Sequence, residues 1–196
     1  MKQKKQTPQM NVILLGLAMI SIGFFFSLKS LADFGAGGNL GADYSKEEFI
    51  ERLRPHAEEL QAGYGVLPSI IIGQAILESN WGESELASQY NNLFGMKAYG
   101  DQNKVTLDTK EFVNEQWLTI KGDFRVYRSW EESMDDHTML FINGVDWSPE
   151  KYEKVLTAAD YKEAAQALQE AGYATDPTYA AKIISVIEAY ELNQYD

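Results

Sequence analysis

Between Val12 and Leu28 the chain runs for seventeen residues without a charge, dominated by Ile, Leu, Met and Phe. No other feature limits the possible folds as sharply. A helix packed in the core of a water-soluble domain shows a polar face, and this segment has none. Lys2, Lys4 and Lys5 precede it. The positive-inside rule therefore puts residues 1–11 in the cytoplasm as a basic N-terminus and everything after Lys29 outside. Residues 12–32 are expected to be a transmembrane anchor or signal segment. The apolar run is at the short limit for a membrane span and slightly long for a signal core. Ser30-Leu31-Ala32 also offers small residues at the spacing a signal peptidase cuts. The reading favours an uncleaved single-pass anchor in the cell membrane over secretion after cleavage near Ala32. Residues 33–43 are glycine-rich and read as a flexible tether, which leaves residues 44–196 as one exported domain.

Charge follows the same division. The whole chain carries a net −12, yet its first 32 residues hold four lysines and no acid. The remainder keeps 13 bases against 29 acids, a net −16. A surface that negative repels phosphate backbones, and no compact Lys/Arg cluster offsets it, so nucleic acid is excluded as a partner. The absence of cysteine rules out disulfides, thiolate catalysis and cysteine-ligated metal.

Within the exported domain the local signals alternate between helix and strand. Ser45-Lys-Glu-Glu48 is a capping box, with Tyr44 and Phe49 placed for a hydrophobic staple, so a helix is predicted to about Gly63. Pro68 suits the first turn of a second helix, carrying Ile70, Ile71, Ile72, Ala75 and Ile76 to about Ser79. A short helix around Glu83–Gln89 and a turn at Asn91-Asn92 follow. Val105–Val113, Trp117–Ile120 and Phe124–Tyr127 are β-prone, with breaks at Asn114-Glu115-Gln116 and Lys121-Gly122-Asp123 that suggest a hairpin or meander. Ser129-Trp-Glu-Glu132 is a second capping box, opening a helix to about Phe141. Ser148-Pro149, Asp160 with Gly172 closing, and Asp176-Pro177 signal three more helices. A helical body with a small antiparallel β-lobe in its middle is an α+β plan with a cleft between the lobes.

Two acids break the apolar pattern. Glu78 falls seven residues after Ile71 and three after Ala75, on an apolar stripe and near a helix C-terminus. Burial and the macrodipole both raise its pKa there, the condition for a general acid near neutral pH. On the first strand Val105, Leu107, Thr109, Glu111 and Val113 share one face, and Glu111 interrupts it. A carboxylate satisfied at the edge of the core explains either residue equally simply. Brought together across a cleft, however, two acids form the constellation of glycoside hydrolysis. Trp81, Tyr90, Phe94, Tyr99 and Trp117 could stack on sugar faces, although any one of them also suits a core. His56 and His137 are the only histidines, and His137 shares a helical stripe with Trp130 and Met134, so a core histidine is expected and no metal or organic cofactor is implied.

The segment Ala75-Ile-Leu-Glu-Ser-Asn-Trp-Gly82, continued by Glu85 through Ala98, resembles the signature of glycoside hydrolase family 73, the bacterial autolysin and flagellar-type endo-β-N-acetylglucosaminidases. Thr109-Lys-Glu-Phe112, the stretch Phe124–Ser133 with Asp136-His137, and Gly172 through Ala180 agree in order. The resemblance implies a lysozyme-like fold acting on peptidoglycan glycan strands. It places the family's catalytic glutamate at Glu78, the second acid of the β-lobe at Glu111 and a cleft tyrosine at Tyr179, with Tyr173 nearby. Trp81, Asn91, Asn92 and Phe94 are expected to bind substrate or to support Glu78 structurally. The implied reaction is hydrolysis of the N-acetylglucosaminyl-β-1,4-N-acetylmuramic acid bond. A lytic transglycosylase of the same fold, or a non-catalytic peptidoglycan-binding module, are the competing readings. Wall-binding repeats of the kind many relatives carry are not seen in the sequence, so the anchor and tether are expected to supply localisation.

Overall fold

A computed structural model describes residues 45–113 and 116–196. The predicted basic N-terminus, anchor and tether, and the staple residue Tyr44, lie outside the described residues. Among the described residues, no helix is long and apolar enough to cross a membrane.

Helix α1 spans Lys46–Tyr64, and its capping box is complete: the Ser45 hydroxyl accepts from the Glu48 amide while the Glu48 carboxylate accepts from the Ser45 amide. Its buried face, Phe49, Ile50, Leu53, Ala57 and Leu60, repeats at helical spacing. Gly65 ends it in the left-handed conformation. Helix α2, Pro68–Ser79, is the axis of the molecule and is buried along nearly its whole circumference. It packs against α1, α6 (Tyr161–Glu170), α7 (Tyr179–Ala189) and a closing 3-10 turn, Leu192–Tyr195. Its first turn is held from far downstream: Asp196 accepts from both the Ser69 amide (2.9 Å) and the Ser69 hydroxyl (2.7 Å).

The short helix α3, Glu85–Tyr90, leads to a left-handed Asn91. Strands β1, Lys104–Val113, and β2, Gln116–Arg125, pair antiparallel in one two-stranded hairpin. The expected break at Lys121-Gly122-Asp123 does not occur, and β2 runs straight through it. Gly122 sits there because the space for a side chain is taken; a Cβ would lie 3.1 Å from both Phe124 and Thr109. Over residues 104–109 the strand alternates, with Val105, Leu107 and Thr109 the more sheltered.

Helix α4, Trp130–Asn143, begins at Ser129, whose hydroxyl caps the Glu132 amide. The second capping box is only half formed. Glu132 turns to the Arg128 amide (2.7 Å) and guanidinium rather than to Ser129. Ser148-Pro149 starts no helix, contrary to expectation; it closes a tight turn in which Val145 and Ser148 exchange backbone hydrogen bonds. The helix nearby, α5, is one turn long, Glu153–Leu156. Asp160 caps α6 by accepting from the Lys162 and Glu163 amides.

Candidate active site

Glu78 is the penultimate residue of α2 and retains 8% of its surface. The chain leaves the helix through Asn80, Trp81 and Gly82, all three at positive φ, so the turn is as sharp as an L-chain allows. Gly82 is obligatory: a Cβ there would meet the Trp130 ring at 2.7 Å. The Ser79 hydroxyl donates to the Ala75 carbonyl (2.6 Å) and accepts from the Gly82 amide (2.7 Å), locking the turn onto the helix.

The acid's partner arrives on α7. Asp176 organises the approach, accepting from the Thr178 amide and hydroxyl (both 2.7 Å) and from Lys182 (2.5 Å). Tyr179 then opens the helix. Close approach of the two helices depends on Gly73, where a Cβ would lie 3.3 Å from Ile187. The Tyr179 hydroxyl donates to Glu78 Oε1 at 2.6 Å and accepts from Gln74 Nε2 at 3.0 Å. Because the glutamine amide can only donate through nitrogen, the phenol proton is directed at Glu78.

Burial pushes the Glu78 carboxyl up to about 7, against the opposing pull of the Tyr179 hydrogen bond and the Lys182 charge. Its position at the helix C-terminus acts in the same direction as burial. At neutral pH such a group is protonated about half the time, and with Oε1 engaged by Tyr179 the proton falls to Oε2. Burial, and next the Glu78 charge, hold Tyr179 well above the ordinary phenol range, so it stays a donor.

Behind this pair lies an aromatic wall. The rings of Tyr173 and Tyr179 stack at 5.6 Å and 20°. The Tyr173 hydroxyl is 3.0 Å from His137 Nε2, and His137 stacks on Phe94 at 3.9 Å. Burial lowers the His137 pKa to about 3, so it is a neutral core residue as its stripe predicted. Among the described residues no group of acids and histidines could hold a metal ion.

The structure thus brings Glu78, Tyr179 and Tyr173 together. Glu111 stands on β1 opposite Leu118 in the hairpin register, and its side chain lies outside the described residues. The four motif residues expected to bind substrate or support Glu78 each make contacts within the fold. Phe94 is fully buried. Asn92 donates to the Met96 and Arg125 carbonyls and accepts from the Met96 amide, tying the loop to the root of β2. Asn91 donates to the Tyr127 carbonyl, and Trp81 packs edge-on against Phe49 and Tyr190. Gln74 escaped the sequence reading. Its signal was an uncharged polar residue one turn before Glu78 inside an otherwise apolar run.

A buried acid of raised pKa at a helix end, bonded to a tyrosine inside a helical body that carries a β-hairpin, fits the lysozyme-like class. Comparison with known proteins is specific. A family model described as mannosyl-glycoprotein endo-beta-N-acetylglucosaminidase matches residues 54–192, and the chain belongs to that glucosaminidase family, glycoside hydrolase family 73. It is 52% identical over 151 residues to the exo-glucosaminidase LytG of Bacillus subtilis, covering 77% of this chain and 54% of LytG. It is 38% identical over 158 residues to a probable N-acetylmuramidase of Lactococcus lactis, covering 79% of this chain and 36% of that protein. The chain therefore spans about half or less of the length of these curated relatives. The catalytic domain of the autolysin Auto from Listeria monocytogenes superposes with a TM-score of 0.72 at 37% identity, covering 82% of this chain and 92% of that domain.

Proposed function

We propose that this chain hydrolyses the N-acetylglucosaminyl-β-1,4-N-acetylmuramic acid bond of peptidoglycan, with Glu78 as general acid. The observation that carries the proposal is the Glu78–Tyr179–Gln74 chain of hydrogen bonds, which orients the carboxyl in a site whose burial raises its pKa to about 7. Glu78 Oε2 delivers its proton to the glycosidic oxygen as the bond breaks, leaving an oxocarbenium-like sugar. The resulting carboxylate is stabilised by the Tyr179 hydroxyl and the Lys182 charge, the two influences that already favour its ionised form. Glu111, carried on the hairpin, is assigned to activate the attacking water or to stabilise the cation. Tyr179 helps to position water or the substrate N-acetyl group. Residues 12–28 hold the domain at the outer face of the cell membrane in this reading, within reach of the wall.

The relatives favour this bond unequally. The 52% identical protein is named a glucosaminidase, the 38% identical one a probable N-acetylmuramidase, which by its name cuts the other glycosidic bond. Mass spectrometry of muropeptides after digestion separates the readings. Products with reducing-terminal N-acetylglucosamine are expected. Reducing N-acetylmuramic acid would assign muramidase activity, and a product lighter by one water would assign a lytic transglycosylase.

A further inference from the structure

At the root of the hairpin, beside the Tyr173 wall, a cavity of about 340 Å³ opens between the loop before β1 and the turn that follows α4. Two large aromatic side chains that line it face solvent: Tyr99 is 58% exposed and Trp147 is 56% exposed. Among the described aromatic rings these two are the most exposed, ahead of Tyr64 at 47%, and both edge the same hollow.

The backbone that carries Trp147 is tightly constrained. The residue occupies, with Asp146, the tip of the Val145–Ser148 turn, whose ends exchange two backbone hydrogen bonds of 3.1 and 2.8 Å. Gly144 enters that turn at positive φ so tightly that a Cβ would lie 2.2 Å from the Pro149 carbonyl oxygen. With the turn already fixed, only the side-chain torsions of the indole are lost on binding. The charge of the cavity is also unlike its surroundings. Lys97 and Lys151 line it with Asp146, although residues 44–196 carry 13 bases against 27 acids, a net −14.

We infer that this cavity is a binding subsite for a peptide-bearing N-acetylmuramic acid residue of the glycan strand, distal to the bond being cut. Trp147 and Tyr99 stack on the apolar faces of the sugar, and Lys151 meets a carboxylate of the attached peptide. The cavity lies one ring away from the reaction site: Tyr173 lines it and stacks on Tyr179, which in turn bonds Glu78. The inference rests on the peptidoglycan reading above, and its test is separable from that reading because it measures binding without cleavage.

The full chain carrying Glu78→Gln is titrated calorimetrically with two uncleaved ligands: a tetrasaccharide of alternating N-acetylglucosamine and peptide-substituted N-acetylmuramic acid, and N-acetylglucosamine tetramer without peptide. Adding Trp147→Ala is expected to raise Kd for both by about tenfold, and Trp147→Phe to recover most of the loss. Lys151→Ala is expected to weaken only the peptide-bearing ligand. An unchanged Kd in a folded Trp147→Ala protein overturns the subsite. A Lys151→Ala effect that is absent, or equal on both ligands, overturns the assignment to the muramyl peptide. Failure of the unmutated chain to release muropeptides would instead sink the hydrolase reading.

Discussion

The two regions that carry acids are built on opposite principles. In the helical body, α2 is surrounded by α1, α6, α7 and the closing turn, so every polar atom near Glu78 is placed by packing. The hairpin pairs along ten residues and its strands pack chiefly on each other; Ile120 is left 37% exposed. It is fastened at its root, where Arg125 pairs with Asp136 of α4, Tyr127 donates to the same carboxylate, and Asn92 bonds the Arg125 carbonyl. Glu78 in the body has its ionisation set by burial, whereas Asp123 on the hairpin is held below the ordinary carboxylate range by Lys104 and Thr106 of the facing strand. The proton is therefore expected to be handled by the body, and the hairpin's acid to act on the substrate side.

The largest test of that contrast is a pair of isosteric changes. Glu78→Gln keeps the shape and removes the proton, and muropeptide release is expected to fall by roughly 10²–10⁴-fold. Glu111→Gln should lose less, because Tyr179 or the substrate N-acetyl group can still orient water. Equal losses in two folded proteins would erase the distinction between body and hairpin.

Stability should be as unequal as activity. Gly82→Ala forces a side chain to positive φ and into the Trp130 ring, and is expected to cost about 3 kcal/mol by denaturant titration. Gly122→Ala meets first the end of the Lys97 side chain, which can swing aside, and should cost about 1 kcal/mol. A larger loss at Gly122 would mean that the hairpin is packed as rigidly as the body.

The pH dependence carries a definite sign. The Glu78 pKa is raised from an ordinary 4.5 to about 7, so the folded state binds the proton more tightly. That stabilisation is complete below about 4.5 and is lost as pH rises through about 7. Glu78→Gln is free of this loss, so its advantage over the unmutated chain should grow from pH 4 to pH 8, to at most ~3 kcal/mol. Melting temperatures across that range check it, and a constant offset would contradict it. Among the smallest effects, Ile120→Ser on the exposed hairpin face should change stability by less than about 0.5 kcal/mol.

Much of the body was legible because its signals are local. Ser45 with Glu48, and Asp160, mark helix starts through hydrogen bonds made within a few residues, and Pro68 does so through its fixed φ and missing N–H. What escaped depends on distant partners. The Lys121-Gly122-Asp123 sequence reads as a break, but the glycine is the strand's answer to Thr109 and Phe124 packed over it. Ser148-Pro149 looks like a helix start and instead closes the turn that presents Trp147. At the site, the apolar stripe singled out Glu78, yet it could not tell that Asn92 and Phe94 face inward, nor that Gln74 lies within hydrogen-bond reach of Tyr179. Those facts need α7 laid against α2.

The contact between Ser69 and Asp196 sets a timetable for synthesis. A ribosome delivers α2 long before the residue that bonds its first turn, 127 positions later. Until then the most apolar helix of the domain has neither that carboxylate nor α7 to cover it, and such exposed surface invites aggregation. Glu78 and Tyr179 are therefore brought together only once α7 has been made and laid against α2.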